Sequence, residues 1–207
     1  MAVPSLDLEL PPFRPELTNV LGQADCTGAS FAIYSMTNSV SEARINEIAA
    51  IPQGEWEEFD MNTKCIKPAV PTANFAGKTL KDIVDAHISM DKELEPREGG
   101  ALAAGWWPHV FIVVVNENIE DHGLLLVYGF EPLSGSDDEQ DEGAIGPREP
   151  TMGKFFFKPE DMCNILSGIA LSGDDLDYLH ETYDMDRESA SEAEDDEVEE
   201  EEDDDVD

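Results

Sequence analysis

A chain of 207 residues has room for one domain with a sizeable core. With 48 acidic residues against 12 Lys and Arg, its formal net charge is −36, a balance that disfavours direct nucleic-acid binding, which needs clustered cations. Basic protein partners and plain solubility are what such a surface suits.

Fourteen acids and one Arg fall within residues 187–207, so the tail is strongly charged and the body before it is acidic too. No basic region followed by an apolar core opens the chain, so no signal peptide is expected. No apolar run approaches the roughly 18 residues that cross a bilayer. Cys26, Cys65 and Cys163 are odd in number and lack a Cys-x-x-Cys pair, which fits reduced thiols, small buried apolar groups and an intracellular setting. A cytoplasmic location is expected. The nucleus stays open, because no Lys/Arg cluster marks an import signal.

Residues 1–28 carry Pro4, Pro11, Pro12 and Pro15 and read as an extended lead-in, laid on the domain by Leu8, Leu10 and Phe13. Residues 30–36 form a first strand. Ser39 and Glu42 make a capping-box pattern, with Ile45, Ile48 and Ala49 at helical spacing behind it. Residues 55–75 are hard to read, since Trp56 and Phe59 want burial while Pro68 and Pro71 forbid a long element. Leu80, Ile83, Val84 and His87 then stripe a helix over about residues 78–90.

Residues 110–115 and 124–128 are two solid apolar runs without alternation, as in strands covered on both faces. Their short connection excludes a crossover helix, which needs about a dozen residues, so they are expected as antiparallel neighbours. Residues 134–143 form a charged insertion without an apolar residue, expected to be mobile. A further strand at 154–157 leads through Pro159 into a helix with Met162, Ile165, Leu166 and Ile169 inward, broken near Leu171. Ser172 with Asp175 is expected to cap a last helix on Leu176, Leu179, His180 and Tyr183. Residues 186–207 are expected to be a disordered polyacid tail.

No nucleophile elbow, phosphate loop, dinucleotide fingerprint or zinc-protease motif is present, and no cofactor or metal is implied. The acids of residues 134–143 lack the ligand order of a calcium loop. His87 and His180 read as core histidines, and His122 as a solvated turn residue. His109, beside Trp106 and Trp107 at a strand end, is the candidate for a ligand pocket, with Arg97 from the preceding loop as its cation. The plainer reading is that the tryptophans plug the sheet end. Ser134, Ser136, Ser189 and Ser191 each precede acids and suit an acid-directed kinase.

Pro159-Glu160, Asn164, Leu166-Ser167, Ile169-Ala170 and the Asp175 to Tyr178 segment resemble a family of small uncharacterised domains found in actinobacteria and fungi. Residues 111–115 and the helix opening at Phe75 to Leu80 extend the likeness to roughly residues 30–185. Gly168, Met162 in place of the family's usual Trp, the acidic insert and the tail depart from it. The resemblance implies the fold and no reaction.

The expectation is therefore one α+β domain over residues 29–185, with a mixed, mainly antiparallel sheet covered by helices. Its function is expected to be non-catalytic. The insert and the tail run Glu199, Glu200, Glu201, Glu202, Asp203, Asp204 and Asp205 would bind basic partner proteins, with no membrane partner. A small enzyme or ligand-binding domain with a pocket at residues 106–109 is the rival. Oligomeric state is not legible.

Overall fold

The computed structural model describes residues 6–19, 21, 24–59, 61, 63–92, 102–131, 149–173 and 175–185. The lead-in ends in a 3-10 turn at Pro15–Leu17, where Pro15 occupies a first-turn position that needs no N–H. Leu8, Leu10 and Phe13 pack half-buried against the core, as expected, and Leu17 is fully buried. After the short strand β1 (Ala24–Asp25) comes β2 (Ser30–Ser35), buried along its whole length.

Helix α1 (Glu42–Ala49) turns Ile45, Ile48 and Ala49 inward. Its cap corrects the expected one. Ser41, not Ser39, accepts from the Arg44 amide at 3.2 Å, and the Ser39 hydroxyl bonds Thr37 at 2.8 Å instead. Arg44 stands where a capping box wants Glu or Gln, so no reciprocal bond forms. Ser41→Ala is expected to cost about 1 kcal/mol in urea unfolding and Ser39→Ala less than about 0.5 kcal/mol. Equal losses would give Ser39 a share in the cap.

The illegible stretch holds α2 (Gln53–Glu58), which buries Trp56 edge-on to Phe31, and the short strand β3 (Ile66–Pro68). Helix α3 (Leu80–Ser89) starts from a full capping box between Thr79 and Asp82, and buries Leu80, Ile83, Val84 and His87 as expected. Two-residue β4 (Leu102–Ala103) pairs with β1, and β5 (Trp106–Val114) follows. One turn of helix, α4 (Ile119–His122), joins β5 to β6 (Leu124–Phe130), and β7 (Thr151–Phe157) comes next. Helix α5 (Met162–Ser167) runs into a π-helical turn (Gly168–Ser172) that Gly173 ends in a left-handed conformation. Helix α6 (Leu176–Tyr183) is capped by Asp175 alone, and Ser172 takes no part.

The main sheet has the order β3-β2-β5-β6-β7. β5 and β6 are antiparallel neighbours, with residues 110–114 and 124–127 at 0 % exposure, so the two apolar runs are the covered central strands they read as. Parallel pairing is more frequent than expected. β2 runs parallel to both β3 and β5, while β5, β6 and β7 alternate. The cause is the two helical crossovers that leave β2 and β3, which force parallel strands. Phe31, Ile33, Val110, Ile112, Leu126 and Phe157 share one core with α1, α2, α5 and α6. Tyr34, Phe111, Val113 and Leu125 share the other with α3 and the lead-in.

Gly153 is fixed by close approach. A Cβ there would stand 2.2 Å from the Tyr128 ring, which lies across the glycine from the neighbouring strand. Tyr128 is buried and its hydroxyl is 3.3 Å from His180 Nδ1, so the ring has nowhere easy to go. Gly153→Val is expected to cost about 2–3 kcal/mol in thermal or urea unfolding. Pairing it with Tyr128→Ala should recover part of that loss, and the absence of any recovery would exclude this clash as the cause.

Candidate functional site

Pro108 decides the geometry around residues 106–109. It has no N–H for a ladder, and β5 bulges there: Ser30 pairs with Trp106, but Ala32 already pairs with Phe111. Extra residues on one strand leave carbonyls without sheet partners. His87, delivered by α3, takes two of them. Its Nε2 lies 3.1 Å from both Trp107 O and Pro108 O, and its Nδ1 lies 3.0 Å from the Tyr34 hydroxyl. Carbonyls only accept, so Nε2 carries the proton and Tyr34 donates to Nδ1. Burial, with the Lys92 charge adding to it, pushes His87 down to about 3.

The adjacent tryptophans do not form one wall. Trp106 faces the α3 side, where the Lys67 ammonium stands 5.1 Å from its ring centre. Trp107 faces the other side and stacks on Phe31 at 5.2 Å with 8° between planes. His109 sits 6.0 Å from Trp107, is 8 % exposed, and is pushed down to about 4 by burial. Its Nδ1 and the Trp107 Nε1 have no hydrogen-bond partner. Trp106, Trp107 and His109 line none of the four cavities described below. Arg97, Ser134, Ser136, Ser189, Ser191 and Glu199 to Asp205 lie outside the described residues, as do the insert and the tail.

One cavity of about 780 Å³ opens at the carboxyl ends of β2 and β5, between Thr37, Asn38, Ser39, Lys78, Thr79 and Asn116. Open parallel sheets receive ligands where strand order reverses, and that point lies between β2, which leads to β3 on one side, and β5, which leads to β6 on the other. The signal was Gly77-Lys78-Thr79 opening a helix. Thr79 and Asp82 cap that helix start reciprocally, however, so their two amides are engaged within the chain. A neighbouring cavity of about 390 Å³ shares Leu6, Val115 and Asn116 with it and reaches His122 and Met185. His122 is exposed, as expected.

Two further cavities, about 540 and 340 Å³, meet at Pro68 along the outer side of β3, beneath α1. Sequence reasoning missed them, because which strand is an edge depends on strand order.

A second polar chain runs from Tyr128 through His180 to Asp184, whose carboxylate lies 3.2 Å from His180 Nε2. His180 stacks on Phe155 at 5.1 Å and is partly exposed rather than fully buried as expected. Burial first, then Asp177, Asp175 and Asp184, push Tyr128 up to about 12. Both imidazole nitrogens are engaged, so the chain of bonds ties α6 to the sheet. The three thiols are free. Cys65 and Cys163 are buried and Cys26 is half-buried; burial raises all three, Cys163 to about 11, which leaves them unreactive.

Among the described residues no three His, Cys, Asp or Glu side chains gather as a metal site, and no helix is long and apolar enough to cross a membrane. Compared with protein-family models, curated proteins and solved structures, the chain matches none.

Proposed function

We propose that this chain is a non-catalytic interaction protein whose acidic segments, residues 134–143 and 187–207, engage basic surfaces of partner proteins in the cytoplasm or nucleus. The observation that carries this reading is where the charge sits. The tail holds fourteen acids and one Arg, and the insert holds five acids and no cation. Neither segment is needed to complete the sheet. β6 and β7 pair from Leu124 with Phe157 to Phe130 with Thr151, right up to the insert. A two-residue turn closes such a hairpin, so the long acidic connection answers to something other than folding.

The segments leave the domain at opposite ends of β6. The insert departs beyond Phe130, and the tail departs after Met185, which packs against Gly123. Seven residues of strand put roughly 20 Å between these departure points, enough to grip two basic patches of one partner and gain from avidity. Phosphorylation at Ser134, Ser136, Ser189 or Ser191 would deepen the same field.

A labelled oligolysine peptide titrated into the full chain tests this by fluorescence anisotropy. Binding is expected to weaken about tenfold or more as salt shortens the screening length from about 30 Å to about 10 Å. Deleting residues 187–207 is expected to remove most of it. Undiminished binding by the shortened chain would rule out the tail's role.

A further inference from the structure

The two faces of the main sheet are covered by different means. Helices α1, α2, α5 and α6 close one face. On the other, α3 covers β2 and β5, where His87 meets Tyr34 and Phe111. Over β6 and β7 the cover is the lead-in, which has neither helix nor strand before Pro15.

Three contacts fix its path. Leu6 lines the cavity of about 390 Å³ together with Phe156, and the Lys154 ammonium donates to Leu8 O. The Phe13 ring lies 3.6 Å from where a Cβ on Gly129, the partner of Met152, would stand. The segment therefore runs antiparallel to β7 across its face. Arg14 then ties it to α3 through an ion pair with Asp85 at 2.7 Å. Leu6, Leu8 and Leu10 alternate with exposed Asp7 and Glu9, as in an extended chain, and Pro11 and Pro12 keep it from coiling.

Little holds it there. Among the described residues no backbone-to-backbone hydrogen bond joins residues 6–13 to the rest of the chain. The Arg14 and Asp85 side chains are 35 % and 39 % exposed, where water and salt weaken their pairing. Leu8, Leu10 and Phe13 are only half-buried, whereas Leu125, Val127 and Met152 beneath them are buried. Segments with few buried contacts and no backbone ladder open first, while the remainder stays folded. Leu6, 38 % exposed and shared by the cavities of about 780 and 390 Å³, is a loose end at which another chain can begin to take over.

We propose that residues 6–14 are a releasable strap, and that the apolar face of β6 and β7 beneath it binds an extended segment of a partner protein with the same chemistry: aliphatic side chains at alternate positions, then an aromatic one. The strap itself argues for this occupant, being such a segment already seated. Lys154 meets a main-chain carbonyl, which any peptide supplies. Leu17, fully buried, and Thr18, bonded to Glu131 at 2.6 Å, stay in place as the hinge. The face is separate from the acidic segments and does not depend on their role.

The probe is the strap's own sequence in trans, Ac-Leu-Asp-Leu-Glu-Leu-Pro-Pro-Phe-Arg-amide, titrated into the isotope-labelled full chain and followed by amide shifts. The tethered strap competes, so the wild-type chain is expected to bind weakly, in proportion to the fraction of chains with the strap open. Phe13→Ala in the full chain is expected to raise affinity about tenfold, and Arg14→Gln about threefold. Arg14→Gln leaves the core untouched, so its result decides if Phe13→Ala does not fold. Shifts should centre on residues 125–127 and 152–156. A cover with only a structural role would give no gain of binding when it is loosened. No gain in the variants, shifts centred on α1 and α5, or equal binding by a peptide with Ser for each Leu and Phe would overturn the proposal. So would peptide binding that is lost at high protein concentration as a dimer forms in sedimentation, which would give the face to the strap of a second copy.

Discussion

His87→Leu is expected to lower unfolding free energy by about 3–5 kcal/mol, a loss large enough to unfold many domains of this size. The leucine fills a similar volume, so the loss comes from what the imidazole leaves behind. Trp107 O and Pro108 O lose the donor they share, and the Tyr34 hydroxyl loses its acceptor, where His87 and Tyr34 are fully buried. A neutral buried polar group left without a partner costs roughly 1–3 kcal/mol. The ring's contact with Phe111, 4.6 Å between centres, disappears as well. Two companion variants separate this cause from simple repacking. His87→Gln keeps one donor and one acceptor and should recover about half the loss. Tyr34→Phe made on top of His87→Leu should cost little more, since the hydroxyl is already stranded. Urea unfolding measures all three. A His87→Leu loss under about 1 kcal/mol would mean that the bulge carbonyls find other partners.

Stability is also expected to fall steeply between pH 7 and 5, by about 4 kcal/mol from two histidines together. His87 and His109 are held at about 3 and about 4 in the folded chain, chiefly by burial, against 6.5 for a free imidazole. Well above pH 6.5 neither state binds these protons and the pair contributes no slope. Below it the unfolded chain takes up two protons that the folded chain refuses, so acid favours unfolding. Each site adds up to about 1.4 kcal/mol per pH unit until its folded value is reached. Carboxylates held low by their partners, such as Asp82 with Thr79 and Asp85 with Lys81, titrate below this window. His109→Phe removes one site whose Nδ1 has no partner to lose, so it should halve the slope at small cost at pH 7. A wild-type midpoint flat from pH 7 to 5 would contradict the neutral, buried state of both rings.

The central strands could be read from sequence because residues 110–114 and 124–127 are apolar at every position, and a strand covered on both faces has no other pattern. Helix α3 was equally plain from its stripe. What failed was local competition. Ser39 and Ser41 both precede the same helix, and only the backbone path shows which hydroxyl meets the Arg44 amide. The same holds for Ser172 against Asp175. β3 was hidden by its three residues and its proline, and with it the parallel half of the sheet. At the candidate site, strand alternation alone separates Trp106 from Trp107, so one aromatic wall was never available to neighbouring residues. His87 could be placed in the core but its partners could not, since Tyr34 lies 53 residues away and Pro108 lies 21.

A folded sheet that stands without its acidic segments, and acidic segments that bind without help from the sheet, is the division on which the functional reading rests. A chain lacking residues 187–207, with residues 132–148 replaced by a short Asn-Gly turn, tests it in a paired thermal melt and oligolysine titration. The melting temperature is expected to hold or rise, as self-repulsion is relieved, while binding disappears. Binding that survives in the trimmed chain, or a chain that no longer folds, would contradict it.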